Sequence, residues 1–311
     1  PCINQECRVR MPLTWNQNLK NDGYAVIENF LTQDEVEGLK SACKSLINQP
    51  NLLSHICCFS TKDQQQAKDE YFLRSANNIS YFFEPDGLGQ DGLPLYEPEL
   101  CLNKIGHALH YLQPMFQKVT FSSEVKQIAK AANFVDPCIV QSMYIFKPPK
   151  IGGSGETKDF VAWFQVAHFA VTPHQDATFL HTDPVKLLGV WIALDDATIE
   201  NGCLHFIPGS HKQGQPSKQF VRVSNPQPGK PLMVYSGEEL TYDERSFVAV
   251  QVKKGDCVLI DGLVIHKSEK NSSQHPRHAY TFHIIESFNS KWSPLNWLQP
   301  THELPFSKLF S

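Results

Sequence analysis

The sequence CVLIDGLVIH at residues 257–266 is an apolar run that is broken by one Asp-Gly pair and ends on a histidine. Aliphatic and β-branched residues dominate it, and Asp-Gly is typical of a tight turn. Runs of the same texture, separated by Gly, Pro, Asn and Asp, occupy residues 138–147, 187–194, 203–207, 247–252 and 277–285. Many short strands joined by turns predict a β-sandwich or barrel, and not a parallel α/β sheet.

The sequence before these runs shows mainly helical periodicity. A short β-rich run at residues 23–30 leads into Thr32-Gln33-Asp34-Glu35, a capping-box pattern, and apolar residues then recur at helical spacing. Apolar residues at 102, 105, 109 and 112, and at 125, 128 and 132, predict two more helices. We therefore expect residues up to 135 to be mostly helical and to pack against the strands.

Composition excludes several classes of protein. The 311 residues are 41% hydrophobic and 19% charged, with a formal net charge of -4, which argues against a disordered chain and against a nucleic-acid partner. Because no apolar run reaches about 18 residues, we expect no membrane partner. Nine cysteines without a C-x-x-C pair favour reduced thiols. We expect a monomer that acts on a small molecule in the cytoplasm or nucleus, since the last residues are not a peroxisomal signal.

Two His-x-Asp triplets suggest a metal site. They are His174-x-Asp176 and His181-x-Asp183. Residues i and i+2 of a strand share a face, so an imidazole and a carboxylate at this spacing can reach one metal ion. Pro184 biases the second triplet towards a loop end, which favours the first triplet.

The best candidate for a third ligand is His266, at the end of the quoted run. A turn-rich segment at residues 271–276 follows, and if it closes a symmetric hairpin, Arg277 lies opposite His266 in the same cavity. Two imidazoles and one carboxylate with open positions suit non-haem Fe(II), and an arginine can clamp a carboxylate. A zinc hydrolase uses the same ligand count but has no specific use for the arginine.

Ordered motifs run along the chain: NKIGHALH at 103–110, VQSMYIFK at 140–147, PHQDA at 173–177, GVWIA at 189–193, ENGCL at 200–204, FIPGSH at 206–211, HKS at 266–268, and WSP and NWLQP within 292–300. By these motifs the chain resembles, from about residue 17 onwards, the phytanoyl-CoA dioxygenase family of Fe(II)- and 2-oxoglutarate-dependent oxygenases. The resemblance implies a mainly β, α+β fold: a double-stranded β-helix, or cupin-like jelly roll, with N-terminal helices packed on it.

The resemblance also implies a site and a reaction. The iron ligands of this site would be His174, Asp176 and His266. The residues that contact 2-oxoglutarate would be Lys104, Met143, Trp191, Ser268 and Arg277. With O2, 2-oxoglutarate would be decarboxylated to succinate and CO2 while a lipid-like or CoA-linked substrate is hydroxylated, although no basic cluster suits the CoA phosphates. The alternative is a catalytically idle jelly roll that binds 2-oxoglutarate or serves as a scaffold.

We expect residues 1–16 to form an N-terminal extension and residues 17–311 a single domain. Residues 157–170 interrupt the family pattern. They are either an insert that covers the mouth of the site or the product of a gene-model error. The second interpretation is favoured because an exposed Phe-Val-Ala-Trp-Phe run would promote aggregation.

Overall fold

A computed structural model describes residues 14–50, 52–59, 65–149 and 170–310. Within these ranges the α-helices are α1 (Thr14–Asp22), α2 (Gln33–Ile47), α3 (Glu70–Arg74), α4 (Pro98–Cys101), α5 (Leu109–Leu112), α6 (Pro114–Thr120) and α7 (Ser123–Ala131). The strands are β1 (Tyr24–Ile27), β2 (Cys57–Cys58), β3 (Ile79–Phe83), β4 (Leu102–His107), β5 (Pro137–Ile145), β6 (Val171–His174), β7 (Thr182–Asp183), β8 (Leu187–Ala193), β9 (Leu204–Phe206), β10 (Lys218–Arg222), β11 (Met233–Gly237), β12 (Val248–Val250), β13 (Cys257–Asp261), β14 (His266–Ser268), β15 (Ala279–Glu286), β16 (Lys291–Trp292) and β17 (Ser307–Lys308). Short 3-10 helices lie at Gln65–Lys68, Ser75–Asn77, Pro85–Gly87, Asp176–Thr178, Ser210–Gln213 and Glu244–Ser246.

The strands form a jelly roll, as the sequence predicts. The larger sheet has the order β1-β13-β8-β15-β5-β4-β3-β2, with β17 also paired to β5, and the smaller sheet has the order β12-β9-β14-β6. Two ribbons, β10–β11 and β16–β7, complete the strand pairing of the described residues. The quoted run therefore contributes one strand to each sheet, β13 before its Asp-Gly turn and β14 after it.

The central strands of the larger sheet are buried on both faces. On β15, Tyr280 and Phe282 pack into the core shared with the N-terminal helices, while Thr281 and His283 line the internal cavity. On β8, Ile192 faces the helices and Trp191 faces the cavity. Because successive side chains of a strand point to opposite faces, the same strands build both the helix-covered core and the functional cavity.

The N-terminal region is only partly helical. Helix α2 begins with the predicted capping box, in which the Thr32 hydroxyl accepts from the backbone N–H of Glu35 and the Glu35 carboxylate accepts from the backbone N–H of Thr32. The prediction of a helix through residues 102–112 is wrong, because residues 102–107 are strand β4 and the helix α5 covers four residues. Strands β1 to β4 all join the larger sheet, so this region supplies part of the sheet as well as its cover.

Some predictions concern the edges of the described residues. Helix α1 begins at Thr14 and buries Trp15, so the packed structure starts before residue 17. The rest of the expected extension, residues 1–13, and residues 157–169 of the expected insert lie outside the described residues. No α-helix within the described ranges is long and apolar enough to cross a bilayer.

Candidate metal centre and co-substrate cavity

His174 and His266 are brought together by strand pairing. Strand β6 ends at His174, β14 begins at His266, and the two residues are register partners whose ring centroids are 4.2 Å apart. The Nδ1 of His174 lies 2.9 Å from the carbonyl oxygen of Thr172, and the Nδ1 of His266 lies 3.1 Å from that of Val264. If each Nδ1–H donates to its carbonyl, each Nε2 keeps its lone pair for a metal.

Asp176 completes the group from a different element. It is the first residue of the 3-10 helix Asp176–Thr178, one residue beyond the end of β6, so the prediction that His174 and Asp176 share one strand face is wrong. The turn nevertheless brings Asp176 Oδ1 within 3.8 Å of His174 Nε2 and 3.7 Å of His266 Nε2. One ligand atom from each residue lies within 4.8 Å of the others, which is close enough for all three to bind one ion.

Asp176 is held by His283 of the larger sheet, and Gln141 contacts His283 in turn. His283 Nε2 lies 3.2 Å from Asp176 Oδ2, and Gln141 Nε2 lies 3.1 Å from His283 Nδ1. If the Gln141 amide donates to Nδ1, Nε2 carries the proton that His283 donates to Asp176. Only Oδ1 of the carboxylate then remains directed at the two metal-facing histidines.

The charges of the group favour metal binding at neutral pH. Burial raises the pKa of Asp176, but His283 and His266 outweigh that effect and hold it below its usual range. Burial, reinforced by His266, lowers the pKa of His174 to about 4. The carboxylate is therefore ionised and the imidazole neutral, which are the forms that bind a cation.

Arg277 lies in the same cavity, although the predicted hairpin is wrong. Strand β14, which begins at His266, pairs with β6 and β9, whereas β15, which begins two residues after Arg277, pairs with β5 and β8, so the two residues do not face each other in one hairpin. The guanidinium is 5.1 Å from the Trp191 ring centroid, and its Nη2 donates to the carbonyl of Gly202 at 3.1 Å. Its Nε and Nη1 are buried without a hydrogen-bond partner among the described residues.

The remaining predicted contacts line one cavity of about 460 Å³. Ser268 donates to the same Gly202 carbonyl at 2.8 Å, which places it beside Arg277. Lys104 extends from strand β4, not from the predicted helix, and its Nζ lies 3.4 Å from the Phe59 ring centroid. Met143 and Trp191 project from β5 and β8 into the cavity. The structure thus brings all eight predicted site residues to one cavity.

Lys147 and Glu84 are among the charged residues of the cavity that were not predicted. Burial, followed by the neighbouring Arg277, lowers the pKa of Lys147 to about 7. Burial raises the pKa of Glu84 to about 7, and its carboxylate accepts a hydrogen bond from Asn103 at 2.7 Å. Lys147 is the last residue of the family motif at residues 140–147, so the sequence could have indicated it as a site residue. Glu84 ends an apolar run, where a charged residue is ordinary, so its burial carried no signal in the sequence.

The second His-x-Asp triplet does not join the metal group. Asp183 is exposed on β7, which pairs with β16. The backbone N–H of His181 donates to Asn296. Within the described residues, the histidine and carboxylate atoms close enough to hold an ion are those of His174, Asp176 and His266.

Comparison with known proteins identifies close relatives. The profile of the family Phytanoyl-CoA dioxygenase (PhyH) matches residues 19–279. The chain is 45% identical to a phytanoyl-CoA dioxygenase domain-containing protein 1 homolog of Caenorhabditis briggsae, over 94% of this chain and 98% of that protein. It is 44% identical to phytanoyl-CoA dioxygenase domain-containing protein 1 of Danio rerio, over 95% and 97%. It is 40% identical to a phytanoyl-CoA dioxygenase of Arabidopsis thaliana, over 90% of each chain.

Solved structures share the fold at low sequence identity. The non-haem alpha-ketoglutarate-dependent epimerase SnoN from nogalamycin biosynthesis superimposes with a TM-score of 0.59 and 16% identity, over 95% of this chain and 97% of SnoN. EctD from S. alaskensis, crystallised with 2-oxoglutarate and 5-hydroxyectoine, gives a TM-score of 0.54 and 17% identity, over 92% and 80%. These similarities support the jelly-roll fold.

Proposed function

The chain belongs to the phytanoyl-CoA dioxygenase family, and we propose that it is an Fe(II)- and 2-oxoglutarate-dependent dioxygenase that hydroxylates a small organic substrate. One observation carries the proposal. The candidate ligands His174, Asp176 and His266 share a cavity with Arg277, whose buried guanidinium has two donor atoms unpaired among the described residues. A metal site and an unsatisfied anion site in one cavity are what this co-substrate requires.

The donor set fits Fe(II). Two imidazole nitrogens and one carboxylate oxygen on one side of an ion leave positions open for a chelating co-substrate and O2. Proteins that share the fold have been crystallised with Fe3+ or with 2-oxoglutarate, as in the SnoN and EctD complexes. The space around Asp176 is also tight, since a Cβ added at Gly189 would lie 3.0 Å from Oδ2 of Asp176.

The cavity also fits a dicarboxylate. Buried guanidinium nitrogens without hydrogen-bond partners are costly, and a carboxylate that accepts from Nη1 or from Nε would lower that cost. Ser268 lies beside it through their shared bond to Gly202. Lys104 lines the same cavity and would be a second positive partner for the co-substrate.

Each residue of the site would have a separate role in the proposed reaction. When bound, Fe(II) supplies the activation of O2, so that 2-oxoglutarate yields succinate and CO2, one oxygen atom enters succinate and the other converts a substrate C–H bond to C–OH. His174, Asp176 and His266 would hold the metal, and His283 would hold Asp176 in place. Arg277 would orient the co-substrate against the Trp191 ring, and the buried walls would exclude water.

Turnover of 2-oxoglutarate tests the proposal. The wild-type protein, loaded with Fe(II) under air, is expected to form succinate, and His174→Ala is expected to lose roughly 100-fold or more of that rate because the metal loses a ligand. His205→Ala is the matched control, since His205 is half-buried on β9 and its Nδ1 bonds only to a backbone carbonyl. Equal rates in His174→Ala and wild type would refute the proposed site, and 2-oxoglutarate binding without succinate formation would favour the idle jelly roll.

A further inference from the structure

Aromatic side chains form one continuous wall of the cavity, beginning at a candidate metal ligand. We define the aromatic wall as Phe72, Phe179, Phe220, Tyr235 and Trp297, all of which line the cavity. The Phe179 ring centroid lies 5.9 Å from that of His174, 5.8 Å from that of Phe220 and 6.3 Å from that of Tyr235. Phe72 extends the wall, at 6.5 Å from Phe220 and 4.6 Å from Trp297.

The rings of the wall are steeply inclined to one another. Phe179 meets His174 at an interplanar angle of 71°, Phe220 at 62° and Tyr235 at 72°. The wall therefore offers both ring faces and ring edges beside the metal group. An aromatic guest gains from edge-to-face and offset contacts beyond the burial of its surface, which an alkyl chain does not.

A lysine lies against Tyr235 of the aromatic wall. Lys218, on β10, has its Nζ 4.6 Å from the Tyr235 ring centroid and forms an ion pair with Glu239. The Lys218 side chain is 15% exposed, whereas that of Glu239 is 72% exposed. Because an ion pair with an exposed partner contributes little, an incoming carboxylate can replace Glu239 on Lys218.

The described cavity offers no such place for the several phosphate charges of CoA. Lys267, which also lines the cavity, is paired with both Glu244 and Glu269, so of these two lysines only Lys218, with its single exposed partner, is available to an incoming anion. Lys104, Lys147 and Arg277 are each at least nine-tenths buried beside the co-substrate site. A ligand with one negative charge matches this arrangement, and a CoA thioester does not.

From these contacts we propose that the primary substrate is a free arylalkanoic acid, whose ring packs on Phe179 and Phe220 beside the metal and whose carboxylate binds Lys218. The inference rests on the proposed function and names its substrate class. In the reaction, a C–H bond near the ring becomes C–OH and 2-oxoglutarate is oxidised to succinate and CO2, with one oxygen atom of O2 entering the new hydroxyl group and the other entering succinate. No CoA group is needed or released.

Binding of matched probes tests this substrate class without turnover. The full chain is loaded with Zn(II) and 2-oxoglutarate, and calorimetry measures binding of 4-phenylbutyrate, decanoate, 4-phenylbutan-1-ol and 4-phenylbutyryl-CoA. Decanoate matches the first probe in charge and carbon number, and the alcohol matches its ring without the charge. We expect 4-phenylbutyrate to bind roughly tenfold more tightly than each of the other three.

Variants separate the ring contact from the charge contact. Lys218→Gln is expected to abolish the preference for the acid over the alcohol, and Lys230→Gln, an exposed lysine outside the cavity, is expected to preserve it. Phe179→Leu is expected to abolish the preference for the aryl acid over decanoate. Its control is Phe288→Leu, at an exposed position. Tyr235→Leu provides a second ring variant if Phe179→Leu does not fold.

Each other outcome overturns one claim. Equal affinity for decanoate or for the alcohol, or tighter binding of the CoA thioester, would overturn the substrate class. If succinate forms with Fe(II) but the protein binds 4-phenylbutyrate no more tightly than the other probes, the substrate inference alone fails. If the protein binds 4-phenylbutyrate more tightly than the other probes but no succinate forms with Fe(II), the proposed oxygenase function fails. The claim that the cavity binds an arylalkanoic acid is then retained.

Discussion

The two candidate metal-binding histidines are oriented by the same backbone arrangement. Each Nδ1 bonds to the carbonyl oxygen two residues earlier in the chain, that of Thr172 for His174 and that of Val264 for His266. This bond fixes the ring and the tautomer before any metal binds. The candidate ligands were predicted from their types and spacing, but the sequence could not show these bonds, because they depend on the local backbone path.

His283 is expected to position Asp176 without binding the metal itself. Its Nε2 lies 3.2 Å from the carboxylate oxygen that faces away from the histidine pair. His283→Leu is expected to weaken metal affinity by roughly 10- to 100-fold, as is usual when a partner of a metal ligand is removed. Calorimetric titration with Zn(II) measures the effect. His205→Leu is the control, and unchanged affinity in His283→Leu at an unchanged melting temperature would contradict the assigned role.

The affinity for 2-oxoglutarate is expected to fall as the pH rises above about 7. Burial lowers the pKa of Lys104 to about 7, so the free protein loses this positive charge through neutral pH. A bound carboxylate favours the charged form, so binding above the free pKa takes up a proton and the affinity weakens by up to about tenfold per pH unit. Lys147, whose pKa burial and Arg277 lower to about 7, adds to the slope.

Calorimetry between about pH 6 and pH 9, in buffers of different ionisation enthalpy, counts the protons taken up. Lys104→Arg is expected to reduce the slope and the proton uptake, because an arginine stays charged over this range. A wild-type affinity that does not change with pH would show that Lys104 does not bind the co-substrate as a cation.

Among the secondary-structure elements, the turn before β9 supports the co-substrate site. Gly202 in this turn has a φ of +79°, and its carbonyl accepts hydrogen bonds from both Arg277 and Ser268. A Cβ at this position would lie 2.3 Å from the Glu269 carbonyl oxygen and from Lys147 Cε. The turn thus depends on glycine for its conformation and for the close approach of its neighbours.

Gly202→Ala is expected to lose more stability than the ~1 kcal/mol that a left-handed alanine costs by itself, and to weaken 2-oxoglutarate binding. Gly229→Ala is the matched control, because Gly229 has a φ of +76° with no atom within 4 Å of an added Cβ. Urea unfolding and calorimetry measure the two effects. Equal losses in both variants would show that the packing around Gly202 has no particular role.

Two elements show where sequence patterns mislead. Leu102, Ile105 and Leu109 have helical spacing, yet the first two lie on β4, which pairs with β3 and β5 and is almost wholly buried. A strand covered on both faces loses the alternation that would reveal it. The hairpin predicted between His266 and Arg277 fails for a different reason: spacing along the chain cannot show that consecutive strands enter different sheets.

Across the whole molecule, the two sheets explain why residues so far apart in sequence share one site. The smaller sheet supplies His174 and His266, the larger sheet supplies Lys104, Trp191 and His283, and the cavity lies between them. The strand texture predicted the sandwich, and the ordered motifs predicted which residues meet in it. The aromatic wall was not predicted, because its rings come from separate segments and become neighbours only through the fold.

The most direct measurement is mass spectrometry of succinate formed from 2-oxoglutarate under 18O2, with Fe(II) bound to the wild-type protein. The proposed reaction predicts succinate that carries one 18O atom in the wild type, and no labelled succinate from His174→Ala. Succinate without the label, or no succinate from a protein shown to bind both Fe(II) and 2-oxoglutarate, would contradict the assignment of this cavity as the centre of an oxygenase.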